Sequence, residues 1–204
     1  VVITIARQYG SGGRTIGEML AKKLNVHYYD KELMKLASDD SGINEALFVN
    51  ADEKVKNTSL FHIARKEYHG ELIPPESDDF TSTDNLFNYQ AKIIRELAEK
   101  GPCVIVGRCA DYILRDCQPF RIFVYADLES KIRRCRKRGG DDAGLTEEEI
   151  QRQIRRIDRS RSKYYAYHTE QTGGGKENYD LCVNTTEISI KGLAPILAQM
   201  VRRP

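Results

Sequence analysis

Short apolar runs alternate along the chain with longer segments in which apolar residues recur at helical spacing. Stretches such as TIGEMLAKKL and NLFNYQAKIIRELAEKG carry apolar residues three and four positions apart, which is typical of amphipathic helices. Strands separated by helix-length segments favour a parallel sheet with helices on both faces, so the pattern predicts an α/β fold. The predicted strands are residues 1–6, 26–30, 103–108, 121–126 and 181–186.

The longest departure from this alternation lies between the second and third predicted strands. Residues 31–100 are polar with helical character, and the segment GELIPPESDDFTSTDN, which contains Pro74 and Pro75, interrupts them as a loop. We expect this loop to be a mobile excursion, and one hypothesis makes it a flap that closes on a ligand. A length of 204 residues with 40% hydrophobic composition suits one α/β domain with small insertions.

Composition argues against several classes of protein. The sequence has no run of about 18 apolar residues, so it predicts no membrane span. The five cysteines are scattered without a CxxC pair and the four histidines lack ligand spacing, which argues against a disulfide framework or a zinc site. The N-terminus lacks the layout of a signal peptide, and we therefore expect a cytoplasmic protein.

Positive charge is concentrated in two segments, although the net charge is only +2. KIRRCRKR at 131–138 and RQIRRIDRSRSK at 152–163 suit an anionic ligand or a nucleic acid, while a solvated helix face is the commoner reason for such runs. Nucleic-acid binding is the least favoured alternative, because the net charge is nearly balanced and no recognition motif flanks the tyrosines of KYYAY. We expect those tyrosines to pack against the core.

A glycine-rich turn, RQYGSGGRT, joins the first predicted strand to the first helix. Such a turn directs backbone N–H groups and the positive end of a helix dipole toward one point, which suits a phosphate. The usual phosphate loop reads GxxxxGK followed by Ser or Thr, and its lysine is missing here. One alignment puts Arg14 in the place of the lysine and Gln8 in the place of the first glycine, whereas the other puts Gly13 at the lysine. We favour the first because it keeps a cation beside the Thr15 hydroxyl; a glycine turn without a ligand is the alternative.

Two features further along the chain support a phosphate site. VIVGR places Arg108 at the carboxyl end of the third predicted strand, where doubly wound folds bind ligands. IRRIDRSRSKYY groups arginines around one acid, Asp158, which can orient Arg161 at the next helical turn while Arg155 faces the same way. Guanidinium groups suit phosphoryl transfer, whose transition state spreads negative charge over several oxygens.

Four stretches, taken in order, carry a family resemblance. They are ITIARQYGSGGRTIGEMLAKKL with its GSGGR loop, VIVGRCADYILRDCQPFRIFVYADLESKIRR, RRIDRSRSKYY, and NTTEISIKGLAPIL. They resemble parts of the cytidylate kinase-like family, a group of nucleoside monophosphate kinases. In the same order, these parts are the opening segment, the GRD segment followed by a strand and paired arginines, the RxxDxxR lid segment, and the closing strand and helix. The resemblance implies a P-loop kinase fold with strand order 2-3-1-4-5. It also implies a core at 1–30, 86–135 and 171–204, an acceptor-binding insertion at 31–85 and an arginine-bearing lid at 136–170.

The resemblance implies an activity as well: transfer of the γ-phosphoryl group of Mg-ATP to a nucleoside monophosphate such as CMP or dCMP. Thr15 would help to hold Mg²⁺. The residues expected around the ATP phosphates are Gly10, Ser11, Gly12, Gly13, Arg14, Thr15 and Arg133. Those expected at the acceptor are Asp30, Arg108 and Asp111. Those expected to assist transfer are Arg14, Asp158 and Arg161, helped by Arg155 or Arg156.

Three departures from the family pattern leave the acceptor open. The loop lysine is absent, Cys109 stands where cytidylate kinases have an acid after Gly-Arg, and the insertion after YYDKELM differs from the usual nucleotide-binding sequence. The alternatives are therefore a kinase with another small acceptor, or a nucleotide-binding sensor without catalysis. The sequence indicates no particular oligomeric state.

Overall fold

Five parallel strands form one sheet within the described part of the chain. The computed structural model describes residues 1–54 and 71–201. The strand order is β2-β3-β1-β4-β5, which confirms the predicted order and the α/β class. Each strand lies within two residues of its predicted bounds: β1 (Val2–Arg7), β2 (His27–Tyr29), β3 (Cys103–Val106), β4 (Phe120–Tyr125) and β5 (Leu181–Asn184).

Helices connect the strands and cover both faces of the sheet. They are α1 (Gly13–Leu24), α2 (Glu32–Ser41), α3 (Glu45–Lys54), α4 (Thr83–Lys100), α5 (Ala110–Ile113), α6 (Leu128–Arg138), α7 (Glu147–Thr169) and α8 (Ile190–Val201). No helix in the described ranges is long and apolar enough to cross a membrane. Part of the predicted insertion 31–85, residues 55–70, lies outside the described residues, as do residues 202–204 of the predicted core.

The sheet separates two apolar clusters because successive side chains of a strand point to opposite faces. On one face, Val104 and Val106 of β3 pack with residues of α1 and α8. On the other face, Cys103 and Ile105 pack with residues of α2, α4 and the end of α7. Both faces of β3 are therefore buried, as expected for the interior of a parallel sheet.

The segment predicted as a lid contains one long helix that also reaches the core. Thr146 and Glu149 form a reciprocal capping box that fixes the start of α7. At the other end Tyr164 and Tyr165 are buried in the second cluster, which confirms that these tyrosines pack against the core. Because α7 is one continuous helix with both ends anchored, the turn that carries its arginines has a fixed position relative to the sheet.

The loop before α4 is packed, so the prediction of a mobile flap is wrong. The side chain of Asn85 is fully buried, accepts from the Ile73 N–H at 2.9 Å and donates to the carbonyl groups of Ile73 and Phe80. The Phe80 ring meets Tyr89 edge-on, with the ring centroids 6.2 Å apart. The cluster of Pro, Asp and Ser residues predicted a loop, but nothing in it predicted that the Asn85 side chain would anchor the loop to α4.

Candidate active site

The glycine loop between β1 and α1 has a backbone that only glycine suits. Gly10 and Gly12 have φ values of 75° and 86°, in the left-handed region. A Cβ on Gly10 would lie 3.0 Å from the carbonyl oxygen of Lys131, and one on Gly12 would lie 2.2 Å from Cδ1 of Ile190. Gly12 caps α1 without a side-chain hydrogen bond, and the first N–H groups of a helix have no acceptor within it. The loop therefore fits an anion such as a phosphate at the start of α1.

Hydrogen bonds fix this loop to the far edge of the sheet. Ser11 is fully buried, and its hydroxyl donates to the Gln8 carbonyl at 2.8 Å. The Ser11 carbonyl accepts from the Thr185 hydroxyl at 2.7 Å, just after β5. Arg134 of α6 in turn donates to the Thr185 hydroxyl at 3.1 Å and to the Thr185 carbonyl. The loop is thus held in shape from two other elements.

Arg14 lies beside the loop and points to the end of β2. Its Nε is 2.9 Å from Oδ2 of the buried Asp30, and Nη2 of Arg7 is 3.8 Å from Oδ1 of the same carboxylate. Burial, reinforced by the charge of Asp30, raises the pKa of Tyr28 to about 12. The Asp30 carboxylate therefore lies near two guanidinium groups, those of Arg14 and Arg7. Thr15 is exposed on the first turn of α1.

The turn after β3 has three consecutive residues in the left-handed region. Gly107, Arg108 and Cys109 all have positive φ, at 77°, 59° and 55°. A left-handed conformation costs a residue with a Cβ roughly 1–2 kcal/mol, and strain of this kind clusters at functional sites. A Cβ on Gly107 would lie 2.1 Å from Nη1 of Arg7, so the glycine lets the Arg7 guanidinium lie across the turn. The turn brings Arg7 and Arg108 to the same carboxyl edge of the sheet.

The lid helix α7 faces this edge with an acid and an arginine. Oδ1 of Asp158 accepts from the Tyr9 N–H at 2.6 Å, and Oδ2 accepts from Nζ of Lys131 at 2.8 Å. Nη1 of Arg161 donates to the Arg7 carbonyl at 3.3 Å. Asp158 and Arg161 are one helical turn apart, so both contact the segment that leaves β1.

A cavity of about 300 Å³ lies between α7, the turn after β3 and the middle of β4. Its polar wall contains Arg7, Arg108, Asp111, Asp158 and Arg161. This volume falls at the small end of the range usual for ligand pockets. We call it the α7 cavity.

The α7 cavity is also lined by an acid and by aromatic rings. Asp111 is buried and accepts from the Tyr165 hydroxyl at 2.7 Å. Burial raises the pKa of Asp111, and it also raises the pKa of Tyr165. The rings of Phe123 and Tyr179 stack with centroids 5.1 Å apart and complete the wall. The lining thus combines guanidinium groups with a buried carboxyl group that favours a neutral or hydrogen-bond-donating partner.

The structure brings some of the predicted site residues together and separates others. Arg108, Asp111, Asp158 and Arg161 line the α7 cavity, while Asp30 and Arg14 pair beside it. Arg155 and Arg156 are exposed and do not line it. Arg133 is exposed and lies near Glu129 and Ser130 of its own helix.

Sequence reasoning missed the residues that complete the site: Arg7, Lys131, Arg134 and Tyr165. Arg7 ends β1 at the carboxyl edge of the sheet, so the argument that selected Arg108 applies to it equally well. Arg134 stands next to Arg133 in an unbroken basic run, and the run itself does not indicate which of the two faces the loop.

Comparison with known proteins agrees with this geometry. A family model described as the cytidylate kinase-like family matches residues 2–187. The chain belongs to the cytidylate kinase-like family. No curated protein sequence matches the chain. This family and the fold together support a kinase-type phosphotransferase with a nucleotide-binding P-loop fold.

Solved structures share the fold of this cytidylate kinase-like chain. An uncharacterized protein from Eubacterium ventriosum ATCC 27560 is 24% identical, with a TM-score of 0.70, and the match covers 100% of this chain and 99% of that one. Shikimate kinase from Bacteroides thetaiotaomicron is 15% identical with a TM-score of 0.59, covering 100% and 99% of the two chains. Shikimate kinase from Acinetobacter baumannii, solved in complex with shikimate, is 13% identical with a TM-score of 0.54, covering 98% and 92%. At these identities the likeness concerns the P-loop kinase fold alone.

Proposed function

We propose that the protein transfers the γ-phosphoryl group of Mg-ATP to a nucleoside monophosphate, with a CMP- or dCMP-like acceptor. The observation that carries the proposal is the convergence of the glycine loop, the Gly-Arg turn and the arginine-bearing helix at one edge of the sheet. Phosphoryl transfer depends on positioning and on charge stabilisation, so a site made of amides and guanidinium groups is sufficient for it. No side-chain nucleophile is needed.

The donor side of the site would be the loop. The amides of Gly10, Ser11, Gly12 and Gly13 and the start of α1 would bind the ATP phosphates, with Arg14 and Arg133 nearby. The exposed hydroxyl of Thr15 would hold Mg²⁺ together with phosphate oxygens. Within the described ranges no cluster of three or more His, Cys, Asp or Glu side chains could hold a metal ion alone, which suits an ion held mainly by phosphates and water. When bound, Mg²⁺ would neutralise charge on the transferring group.

The acceptor side would be the α7 cavity and the carboxylate of Asp30. Arg108 would bind the acceptor phosphate, and Asp111 would accept hydrogen bonds from a donor group at the opposite end of the acceptor. In this proposal residues 1–30, 86–135 and 171–204 form the core. The insertion 31–85 would bind the acceptor, and the lid 136–170 would bring α7 to the phosphates.

Transfer itself would occur between these two sides. An oxygen of the acceptor phosphate would form the new bond to the γ-phosphorus, while the bond to the bridging oxygen breaks and ADP leaves. Arg161 would stabilise charge on the transferring group, and Asp158 would hold the loop through the Tyr9 N–H. Arg155 and Arg156 would add positive potential from the exposed side of α7 rather than by contact.

The test is ADP production from Mg-ATP across a panel of nucleoside monophosphates, led by CMP and dCMP, against a control without acceptor. Turnover that depends on one monophosphate would support the proposal and identify the substrate. Rapid ATP hydrolysis that no acceptor changes would contradict it. Because the five cysteines are thiols, the assay belongs in reducing buffer, as suits the cytoplasmic location that we also propose.

A second candidate is a kinase for another small acceptor. The buried Asp111 and its contact with Tyr165 favour this alternative, because they offer a hydrogen-bond site to any ligand with a hydroxyl or amine. The same assay, extended to small hydroxylated acids and sugars, would separate the two. ATP binding without turnover of any acceptor would favour a nucleotide sensor instead.

A further inference from the structure

The loop lacks a lysine, but a buried lysine from another helix lies directly beneath it. Lys131 of α6 is 7% exposed. Its stem passes under the loop so closely that a Cβ on Gly10 would lie 3.1 Å from Cβ of Lys131. A lysine is rarely buried to this degree unless it is paired. The conformation of Gly10 therefore leaves room for the Lys131 side chain.

The ammonium group of Lys131 contacts two residues that line the α7 cavity. Its Nζ donates to Oδ2 of Asp158 at 2.8 Å and to Oε1 of Gln8 at 3.3 Å. The other oxygen of Asp158 accepts from the Tyr9 N–H at 2.6 Å. Lys131 thus fixes the entrance of the loop to α7, with its positive charge just behind the cavity wall.

A site for phosphates needs a cation at this point for a simple electrostatic reason. Asp158 presents a carboxylate to a cavity where, under the proposed function, the anionic phosphates of ATP and acceptor meet. Like charges repel strongly where water is excluded. Arg14, the cation predicted to replace the loop lysine, pairs with Asp30 instead. Arg161 and Arg108 line the same cavity, and it is Lys131 that pairs with the Asp158 carboxylate.

We propose that Lys131 is the cation of this lysine-free loop: a positioning residue that offsets the charge of Asp158 and holds Gln8 and Asp158 for binding of the ATP phosphates. It supplies from α6 the positive charge that the usual loop carries on its own helix. The inference rests on the proposed function only in assuming that ATP binds at the loop.

The experiment measures the Kd for Mg-ATP without acceptor at a temperature at which each variant is folded. We expect Lys131→Met to weaken binding about 10-fold or more, because it leaves Asp158 uncompensated, and Lys131→Arg to stay within about 3-fold. Asp158→Asn leaves Lys131 without its partner and should tighten binding, whereas Lys131→Met combined with Asp158→Asn removes both charges and should return the Kd to within about 3-fold of wild type. Lys137→Met, which removes an exposed lysine from the same helix, is the matched control and should leave the Kd unchanged.

The possible results are separable. A Kd within about twofold of wild type for folded Lys131→Met, or a double variant that binds ATP as weakly as Lys131→Met alone, would overturn the inference even though the proteins bind ATP. If Lys131→Met does not fold, Asp158→Asn alone decides: it leaves Lys131 uncompensated and should tighten ATP binding, and unchanged or weaker binding would overturn the proposal. A wild-type chain that binds no ATP would overturn both the inference and the proposed function. A chain that binds ATP but transfers nothing would count against the function alone.

Discussion

The basic runs 131–138 and 152–163 have similar composition, but the fold divides each into side chains that face the site and side chains that face solvent. On α6, Arg134 contacts Thr185 beneath the loop, while its neighbour Arg133 is exposed. On α7, Arg161 lines the α7 cavity, while Arg155, six residues earlier, is exposed. Charge density along the sequence therefore indicates which helices border the site, and the helical period decides which side chains enter it.

The largest expected difference between inward and outward cations is in turnover. Arg161→Ala should lower kcat/KM about 100-fold or more, because it removes a guanidinium from the cavity wall where, under the proposed function, charge would develop in the transition state. Arg155→Ala on the same helix should change it by less than about 2-fold, as is usual for exposed charges. Steady-state kinetics with saturating Mg-ATP and the acceptor identified in the panel assay would measure both.

Equal losses in the two variants would break the comparison. That result would mean that α7 turns or moves when substrates bind, so that Arg155 also contacts them. If Arg161→Ala raised KM and left kcat unchanged, Arg161 would contribute to substrate binding and not specifically to the transfer step.

A smaller difference is expected within α6, where the two arginines are adjacent in sequence. Arg134→Met should lower the free energy of unfolding by about 1–3 kcal/mol, because the carbonyl and hydroxyl of Thr185 lose a charged donor. Arg133→Met should change it by less than about 0.5 kcal/mol, since that side chain is mostly exposed. Urea denaturation followed by circular dichroism measures both variants. A cost for Arg133→Met that matched that of Arg134→Met would show that the exposed arginine supports the loop as well.

Much of the fold could be predicted because hydrophobic period and strand length are local properties. The strand order followed from the family resemblance, and Arg108 followed from the rule that ligands lie at the carboxyl ends of parallel strands. Arg7 obeys the same rule but was missed, because the first strand was predicted to end one residue earlier.

The remaining site residues could not be predicted because their roles depend on which helix face packs. Arg14 could be placed beside the loop, but its pairing with Asp30 requires the end of β2 to lie next to the start of α1. Lys131 belongs to a run that is mostly exposed, and only the docking of α6 against α7 buries it. Residues far apart in sequence that meet in one ion pair leave no pattern in a single sequence.

A pH experiment would sharpen the contrast between the arginines that line the α7 cavity and its buried acid, Asp111. Burial raises the pKa of Asp111 above its ordinary value of 3.8, so the folded protein holds this proton more tightly than the unfolded chain does. The stability that follows is fully present below the ordinary pKa and is lost as pH rises through the raised one. Asp111→Asn cannot ionise, so its Tm relative to wild type should increase as pH rises above about 4.

The matched control for this experiment is Asp116→Asn, which removes an exposed acid a few residues away. The Tm difference between the two variants at each pH isolates the contribution of burial at Asp111. A difference that stayed constant with pH, or that fell as pH rose, would show that Asp111 does not gain a proton on folding.

The smallest expected effect belongs to the outward arginines, which act on phosphates only through the long-range field. Arg155→Gln combined with Arg156→Gln should slow Mg-ATP association about 2-fold at an ionic strength near 0.01 M, where the screening length is about 30 Å. Near 0.2 M salt the effect should vanish, since the screening length is then only about 7 Å. Stopped-flow association rates across a salt series would measure it. A difference that persisted at high salt would mean that these arginines contact the phosphates directly. In that case α7 would have to rotate when ATP binds, and the arginines that face solvent here would face the site in the bound state.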